Sequence, residues 1–252
     1  MISKLTMKIT PPENGVINNN MSSLTHGWLM STIDKEFADK MHESALHPFS
    51  QYITLNKNGA FWIVNTLTDE AEENIIRPLL ETDSITLRHD EKEYILSEHS
   101  IEKTSFDDMF VRNYISGKPS NIVSMRFTTP TAFKSGGRYV YFPDTKLIFS
   151  SIINKYDSSS ESTKIYDEKL IEEIPLSTEI VGYNLRSTFF HMEGVRIPSF
   201  VGSIKIKVRG NSNMVSLINM LAEFARYSGV GIKTSLGMGG IGYFEKRGKE
   251  NE

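Results

Sequence analysis

The first half of the chain alternates between strand-like and helix-like patterns of apolar residues. Leu5–Thr10 alternates apolar and polar positions, which is typical of a strand with one buried face. Ser22 and Ser23 are candidate N-caps of a helix whose apolar positions continue to Met41. The other elements predicted here are strands Tyr52–Leu55 and Ala60–Thr66, a helix over 69–81, and strands Ile85–Arg88 and Tyr94–Leu96.

The second half repeats the order β-α-β-β-α-β with longer elements. Asp144 is a candidate cap of a helix to Tyr156, and Asn213 of an amphipathic helix through Phe224. The other predicted elements are strands Ile122–Thr128, Tyr139–Phe142, Glu179–His191, Val195–Val208 and Ile241–Phe244, and a helical stretch over 165–173. The strands Glu179–His191 and Val195–Val208 are predicted to form a hairpin that turns at Glu193 and Gly194. The pattern therefore predicts an α+β protein of two tandem ferredoxin-like (RRM-like) domains, at 1–118 and 119–252, ending in a disordered charged tail.

Composition excludes several classes of function. The 252 residues include no cysteine, which excludes disulfide scaffolds, thiol catalysis and cysteine-ligated metal centres. No apolar run approaches the roughly 20 residues of a membrane helix. The N-terminus also lacks the apolar core of a signal peptide. We therefore expect a cytoplasmic protein with no membrane partner.

The net charge of −3 conceals a difference between the halves. Residues 1–118 contain 11 Lys and Arg against 18 Asp and Glu, a balance of −7. Residues 119–252 contain 17 against 13, a balance of +4. A polyanionic partner is therefore expected mainly along the second half.

A glycine-rich segment, residues 229–242, is the most informative stretch. Six of its fourteen residues are glycine, so its backbone N–H groups can approach an anion without interference from a Cβ atom. A turn needed only for tight packing is the alternative, and Lys233 favours the anion. The candidate phosphate-binding residues are Gly229, Gly231, Lys233, Thr234, Ser235, Gly237 and Gly239.

Two nucleotide-binding motifs do not fit this segment. In a P-loop the second glycine directly precedes the lysine, whereas Ile232 separates Gly231 from Lys233 here. The spacing of Gly237, Gly239 and Gly242 matches a dinucleotide fingerprint, but the predicted order is helix, glycines, strand. That order is the reverse of either motif.

The glycine-rich segment resembles the C-terminal glycine-rich loop of the CRISPR-associated endoribonucleases that cut precursor CRISPR RNA within its repeats. These enzymes belong to the RAMP superfamily of ferredoxin-like domains. Three more stretches are similar to that family: RFTTPTAFKSGG at 126–137, FVGSIKIKVRG at 200–210, and the helical segment Leu24–Phe49. The resemblance covers most of the chain and implies CRISPR repeat RNA as the partner.

Three histidines in the first half are the candidate catalytic residues. His42 matches the position of the family's catalytic histidine, at the end of the early helix. Where some members have a tyrosine this chain has Met30, so His26, one turn earlier, is the candidate for the second role. Pro48 aligns with a family lysine, and its role falls to His47, to Lys40, or to no residue. For each histidine a purely structural role is the alternative.

Helix geometry makes a test of this pairing. Sixteen residues separate His26 from His42, which is about 24 Å and about 160° of rotation on one continuous helix. The two can share a site only if the helix breaks. We predict a break near Ser31–Asp34, with Asp34 capping the second part.

The spacing of His42 and His47 does not fit a zinc motif. Such motifs place histidines at i and i+4 on one helical face, and these are at i and i+5. We therefore predict cleavage that needs no metal and no cofactor. The resemblance implies products with a 5′-hydroxyl and a 2′,3′-cyclic phosphate.

Basic residues of the second half are candidate RNA contacts. Lys205, Lys207 and Arg209 alternate with apolar residues, which predicts a basic stripe along one strand face. Lys134 and Arg138 flank a glycine pair and extend the candidate track. A solvated strand face is the alternative.

The rival interpretation is a non-catalytic RAMP-type subunit that holds guide RNA in an effector complex, and a general single-strand RNA-binding module is a weaker one. The glycine-rich segment fits them all, and only the enzyme needs the histidines. Other CRISPR-associated effector subunits and a second copy of the chain, as a homodimer, are the further partners that the resemblance allows.

Overall fold

The computed structural model describes residues 1–87, 91–161, 163–192 and 194–242, and for His42 it describes the backbone alone. Parts of four predictions lie outside these residues: the end of the strand at Arg88, the turn at Glu193, the last strand beyond Gly242, and the charged tail.

The elements of the first half follow the predicted order. They are β1 Ile2–Thr10, α1 Ser22–Thr32, α2 Lys35–Glu43, β2 Phe49–Asn56, β3 Gly59–Thr66, α3 Asp69–Ala71, a π-helical turn Glu72–Ile76, α4 Arg77–Leu80, β4 Ser84–Leu87 and β5 Lys92–Thr104. The sheet is antiparallel, with strand order β2-β3-β1-β5-β4. Leu5 on the central strand faces Val64 and Ile101 on its neighbours.

The early helix breaks where the geometry of the two histidines required it. The helix α1 ends at Thr32, and Ile33 has an extended ψ of 166°. The Asp34 carboxylate accepts a hydrogen bond from the Phe37 backbone N–H at 3.1 Å and so starts α2 as its N-cap. The predicted break near Ser31–Asp34, with Asp34 as the cap, is confirmed.

The pattern of apolar residues did not predict one helix of the structure. Residues 106–115 form α5 Phe106–Phe110, continued by a π-helical turn Val111–Ile115. Ser105 and Asp108 form a capping box at its start. This helix packs against the second half, where Arg112 pairs with Glu223 at 2.6 Å.

The second half has its own antiparallel sheet. The elements are β6 Ile122–Thr131, β7 Phe133–Ser135, β8 Arg138–Val140, α6 Thr145–Ser159, α7 Glu168–Ser177, β9 Thr178–Met192, β10 Val195–Val208, α8 Ser212–Ser228 and β11 Ile241–Gly242. The strand order is β11-β6-β10-β9, while β7 and β8 form a separate hairpin. The α+β class with two ferredoxin-like domains is confirmed. The boundary at residue 118 stays a prediction.

Two local predictions in this half were wrong. Asn211, not Asn213, caps α8, because its side chain accepts from the Met214 backbone N–H at 2.9 Å. The strand predicted at Tyr139–Phe142 begins at Arg138, ends at Val140, and pairs with β7 rather than with the main sheet.

Candidate active site

His26 and His47 lie side by side where α1 meets the start of β2. Their ring centroids are 6.4 Å apart and the rings are nearly parallel, at 12°. Phe49 packs on both, at 6.0 Å from the His26 ring and 5.6 Å from the His47 ring. Both imidazoles are half-buried. Two of the three predicted catalytic side chains are therefore neighbours, held by one aromatic ring.

His42 lies in the last turn of α2, five residues before His47. Five residues of extended chain span at most about 18 Å, so residue 42 cannot be farther than that from residue 47. The break between α1 and α2 removes the obstacle that one continuous helix would have placed between His26 and His42. The side chain of His42 lies outside the described residues.

Lys40, the other candidate for the family lysine's role, points elsewhere. Its ammonium pairs with Glu70 at 2.5 Å, and the hydrogen bond to this carboxylate raises the pKa of Lys40. The side chain is exposed on the side of α2 that faces Glu70.

The glycine-rich segment folds into a tight loop between α8 and β11. Gly229, Gly231, Gly237 and Gly239 all have positive φ. A Cβ at Gly231 would lie 2.3 Å from the Ala132 carbonyl oxygen, and a Cβ at Gly239 would lie 2.0 Å from that of Val230. Of these four, only Gly231 is not buried. Tight packing against protein therefore explains these glycines, as the alternative interpretation had it.

The surface that this loop offers to a ligand comes from Lys233 and its neighbours. Lys233 is exposed and left-handed, with φ of 56°, and it precedes a single 3-10 turn, Thr234–Leu236. The first backbone N–H groups of such a turn have no partner within it. Thr234 and Ser235 are 7% exposed.

A cavity of about 360 Å³ joins the two halves of the molecule. Its walls are one stretch before β2, part of the glycine-rich segment, and a lysine of α6: Ala45, Leu46, His47, Lys155, Gly231, Ile232, Lys233, Thr234, Ser235 and Leu236. A histidine of the first half thus shares a cavity with the candidate phosphate-binding residues of the second. This arrangement can hold an anion beside a group able to transfer a proton.

A buried glutamine on β2 links the start of α1 to the glycine-rich segment. Gln51 on β2 is fully buried and donates through Nε2 to the carbonyl oxygens of Ser22, at 2.7 Å, and Ser235, at 2.8 Å. Its Oε1 accepts from Trp62 Nε1 at 2.8 Å and from Thr25 Oγ1 at 3.0 Å. The start of α1, which carries His26, is therefore linked to the glycine-rich segment through one side chain.

Lys155 is a cavity residue that the sequence analysis missed. Its Nζ donates to the carbonyl oxygens of Gly229, at 3.1 Å, and Gly231, at 3.0 Å. A signal existed in the sequence, since a lysine at 155 interrupts the inward stripe Ile148, Ile152, Tyr156 and Ser159 of the helix that Asp144 caps. Gln51 gave no comparable signal, because its partners lie in three separate segments.

The candidate RNA contacts fall into two groups. Lys134 and Arg138 are exposed on the β7–β8 hairpin, next to Ala132, whose carbonyl accepts from the Ile232 N–H. Lys205 faces Ser124 on β6, which precedes Ala132 by eight residues, or about 26 Å of extended chain. The predicted alternation is confirmed, with Ile204, Ile206 and Val208 buried. The stripe Lys205, Lys207 and Arg209 is nonetheless far from the cavity, and Arg209 pairs with Glu179 at 2.5 Å.

Among the described residues, no group of three or more histidine and carboxylate side chains is placed to hold a metal ion. No helix within the same residues is long and apolar enough to cross a membrane.

Comparisons with known proteins identify the class. The profile of the family described as CRISPR-associated endoribonuclease Cas6 matches residues 125–241. A Cas6 endoribonuclease of Streptococcus thermophilus is 33% identical over 226 residues, which is 88% of this chain and 90% of that protein. One of Mycobacterium tuberculosis is 30% identical over 240 residues, 94% of this chain and 76% of that protein. The class is that of RNA-cutting enzymes with a RAMP-type fold.

The chain belongs to the Cas6 family of CRISPR-associated endoribonucleases, and it is a nuclease of CRISPR RNA processing. Solved structures agree on the fold. A product complex of Cas6 (TTHB231) superposes with a TM-score of 0.81 at 24% identity, covering 96% of this chain and 99% of that one. A Cas6-related protein of Pyrococcus furiosus has a TM-score of 0.65 at 12% identity, covering 98% and 100%.

Proposed function

We propose that this chain cuts precursor CRISPR RNA within its repeats, without a metal ion, by attack of a 2′-hydroxyl on the adjacent phosphate. The new bond joins the 2′ oxygen to phosphorus, and the bond from phosphorus to the 5′ oxygen breaks. One histidine takes the proton of the 2′-hydroxyl, and another gives a proton to the leaving 5′ oxygen. The products are a 2′,3′-cyclic phosphate and a 5′-hydroxyl.

The observation that carries this proposal is the stacked pair His26 and His47, of which His47 lines the cavity that Lys233 also lines. Imidazoles suit both proton transfers, and the site provides two of them with ring centroids 6.4 Å apart, while residue 42 precedes His47 by five positions in the chain. Lys233 and the N–H groups that open the 3-10 turn are candidates to stabilise the extra negative charge on phosphorus. Met30, where some members of the family have a tyrosine, has no titratable group and so cannot transfer a proton.

The remaining basic residues extend the binding surface in this proposal. Lys134 and Arg138 continue it from the cavity onto the β7–β8 hairpin. The stripe Lys205, Lys207 and Arg209 would contact RNA about 26 Å or more away, so it binds a different part of the same molecule. Each phosphate contact makes the affinity for RNA fall more steeply as the salt concentration rises.

The first test is cleavage of repeat RNA in excess EDTA. We expect discrete cutting, and a product mass lower by one water than that of a 3′-phosphate. Substitution of the scissile 2′-hydroxyl by hydrogen should abolish cutting and leave binding intact. Binding without any scission would instead favour the RNA-holding subunit, and loss of cutting in EDTA that Mg²⁺ restores would refute the metal-free mechanism.

A second test assigns the proton-transfer groups. His26→Ala, His42→Ala and His47→Ala are compared with His99→Ala, which removes a histidine on β5, a strand that β3 and β1 separate from β2. We expect losses of at least about 100-fold for a general acid or base, and no loss for His99→Ala. RNA with a 5′-thio leaving group needs no acid, so it should restore the rate only for the variant that lacks the acid.

Cytoplasmic location, effector subunits as partners and a homodimer remain predictions. Sedimentation of the purified protein, with and without repeat RNA, tests the homodimer.

A further inference from the structure

Lys155 is a buried lysine that lines the cavity. It is 5% exposed, and Gly229 and Gly231 supply its hydrogen-bond acceptors among the described residues. One turn earlier on α6, Ser151 Oγ accepts from the Gly231 N–H at 2.8 Å. Two side chains of α6 therefore hydrogen-bond the backbone of the glycine-rich segment at Gly229 and Gly231.

Burial makes this lysine unusual in charge as well as position. Removal from water lowers the pKa of Lys155 to about 7, because the charged form loses its hydration. A neutral amine has two N–H groups, which match the two carbonyls, and the ammonium form has a third. The titratable groups that line the cavity with Lys155 are His47 and Lys233.

An anion in the cavity would change this balance. A phosphate close to a buried amine favours the ammonium form, since an opposite charge interacts strongly where water is excluded. The third N–H of the ammonium would then be free to face the cavity. Protonation and phosphate binding would thus stabilise each other.

We propose that Lys155 is a positioning residue for RNA phosphate, which holds the carbonyls of Gly229 and Gly231 and takes up a proton from the solvent when a phosphate enters the cavity. It acts through the glycine-rich segment and through its charge. This inference rests on the proposed function in one respect, that an RNA phosphate occupies this cavity.

The experiment is calorimetric titration with repeat RNA that lacks the scissile 2′-hydroxyl, at pH 7.5, in buffers of different ionisation enthalpy. With a pKa of about 7, roughly three-quarters of Lys155 is neutral at that pH, so we expect an uptake of about 0.7 proton per RNA that depends on Lys155. At pH 6 this part should fall to about 0.1, because the lysine is already charged.

Two variants isolate the contribution. Lys155→Met should lose the uptake of about 0.7 proton and bind RNA more weakly. Lys155→Gln keeps N–H donors for the two carbonyls but cannot take up a proton, so it should also lose the uptake, and it serves as the test if Lys155→Met does not fold. Lys146→Met removes an exposed lysine of the same helix, so it should match the wild type.

The outcomes separate this inference from the proposed function. Wild type that cuts RNA but shows the same proton uptake as Lys155→Met would overturn the role of Lys155 and leave the nuclease mechanism standing. If the wild type shows proton uptake that depends on Lys155 but never cuts RNA, the nuclease mechanism is overturned and the role of Lys155 stands.

Discussion

Gln51 provides the sharpest test of how the two halves are joined. Gln51→Met keeps the length and bulk of the side chain and removes its amide. Two buried groups then lose the partner that Gln51 provides, with no other partner seen among the described residues: the Trp62 indole N–H and the Ser235 carbonyl. The Ser22 carbonyl and the Thr25 hydroxyl still bond to each other at 3.0 Å.

The magnitude follows from these two groups. A buried polar group left unsatisfied costs about 1–3 kcal/mol, so the free energy of unfolding should fall by about 2–6 kcal/mol. For a chain of this size, each kcal/mol lowers the melting temperature by about 2–4 °C. A loss of about 3 kcal/mol would therefore appear as about 6–12 °C.

Activity should fall as well, because the amide fixes the start of α1 to the glycine-rich segment. Misplacement by about 1 Å can slow a reaction by about 100-fold, and we expect single-turnover cleavage at saturating RNA to fall at least about 10-fold. The control is Thr178→Val, which removes a buried hydroxyl bonded to the Ile174 carbonyl at the far end of the second sheet. It should cost about 1 kcal/mol and leave cleavage unchanged. If Gln51→Met is as stable and as active as Thr178→Val, the Gln51 amide does not fix α1 to the glycine-rich segment.

Three further predictions concern the break, the loop and the buried lysine. Asp34→Ala should cost about 1 kcal/mol in denaturant unfolding and also slow cleavage, whereas the control Asp167→Ala, which removes the cap of α7, should cost the same and leave cleavage intact. Gly237→Ala should lower the melting temperature far more than Gly136→Ala, because its Cβ would lie 2.1 Å from that of Ser22 while Gly136 faces open space; equal losses would contradict this packing. Between pH about 7 and 10.5, Lys155 is charged in the unfolded chain and neutral in the folded one, because its pKa falls from 10.5 to about 7 on folding. The free energy of unfolding of the wild type, relative to Lys155→Met, should therefore rise with pH across that range and stay constant below it, as measured by denaturant unfolding at each pH. A difference independent of pH would contradict the lowered pKa.

Much of the fold was predictable from pattern because it depends on local signals. Alternation marked β10, side-chain caps marked α2 and α6, and the incompatible spacing of His26 and His42 on one helix required the break at Ile33 and Asp34. The helix over 106–115 was missed although the capping box of Ser105 and Asp108 at its start is a local signal.

The site was less predictable than the fold. The histidines and Lys233 could be named from the resemblance, but Lys155 and Gln51 gain their roles only from contacts between distant segments. The glycines of the loop were expected near a ligand, and neighbouring protein atoms explain most of them. Sequence pattern identifies which residues lack a side chain, and the folded chain decides what approaches them.

The most direct measurement of the central claim is a structure of the protein with repeat RNA that lacks the scissile 2′-hydroxyl. We expect the scissile phosphate in the cavity between His47 and Lys233, with His26 or His42 also within hydrogen-bond reach of the reacting oxygens. A scissile phosphate bound elsewhere, with these imidazoles remote from it, would contradict the account.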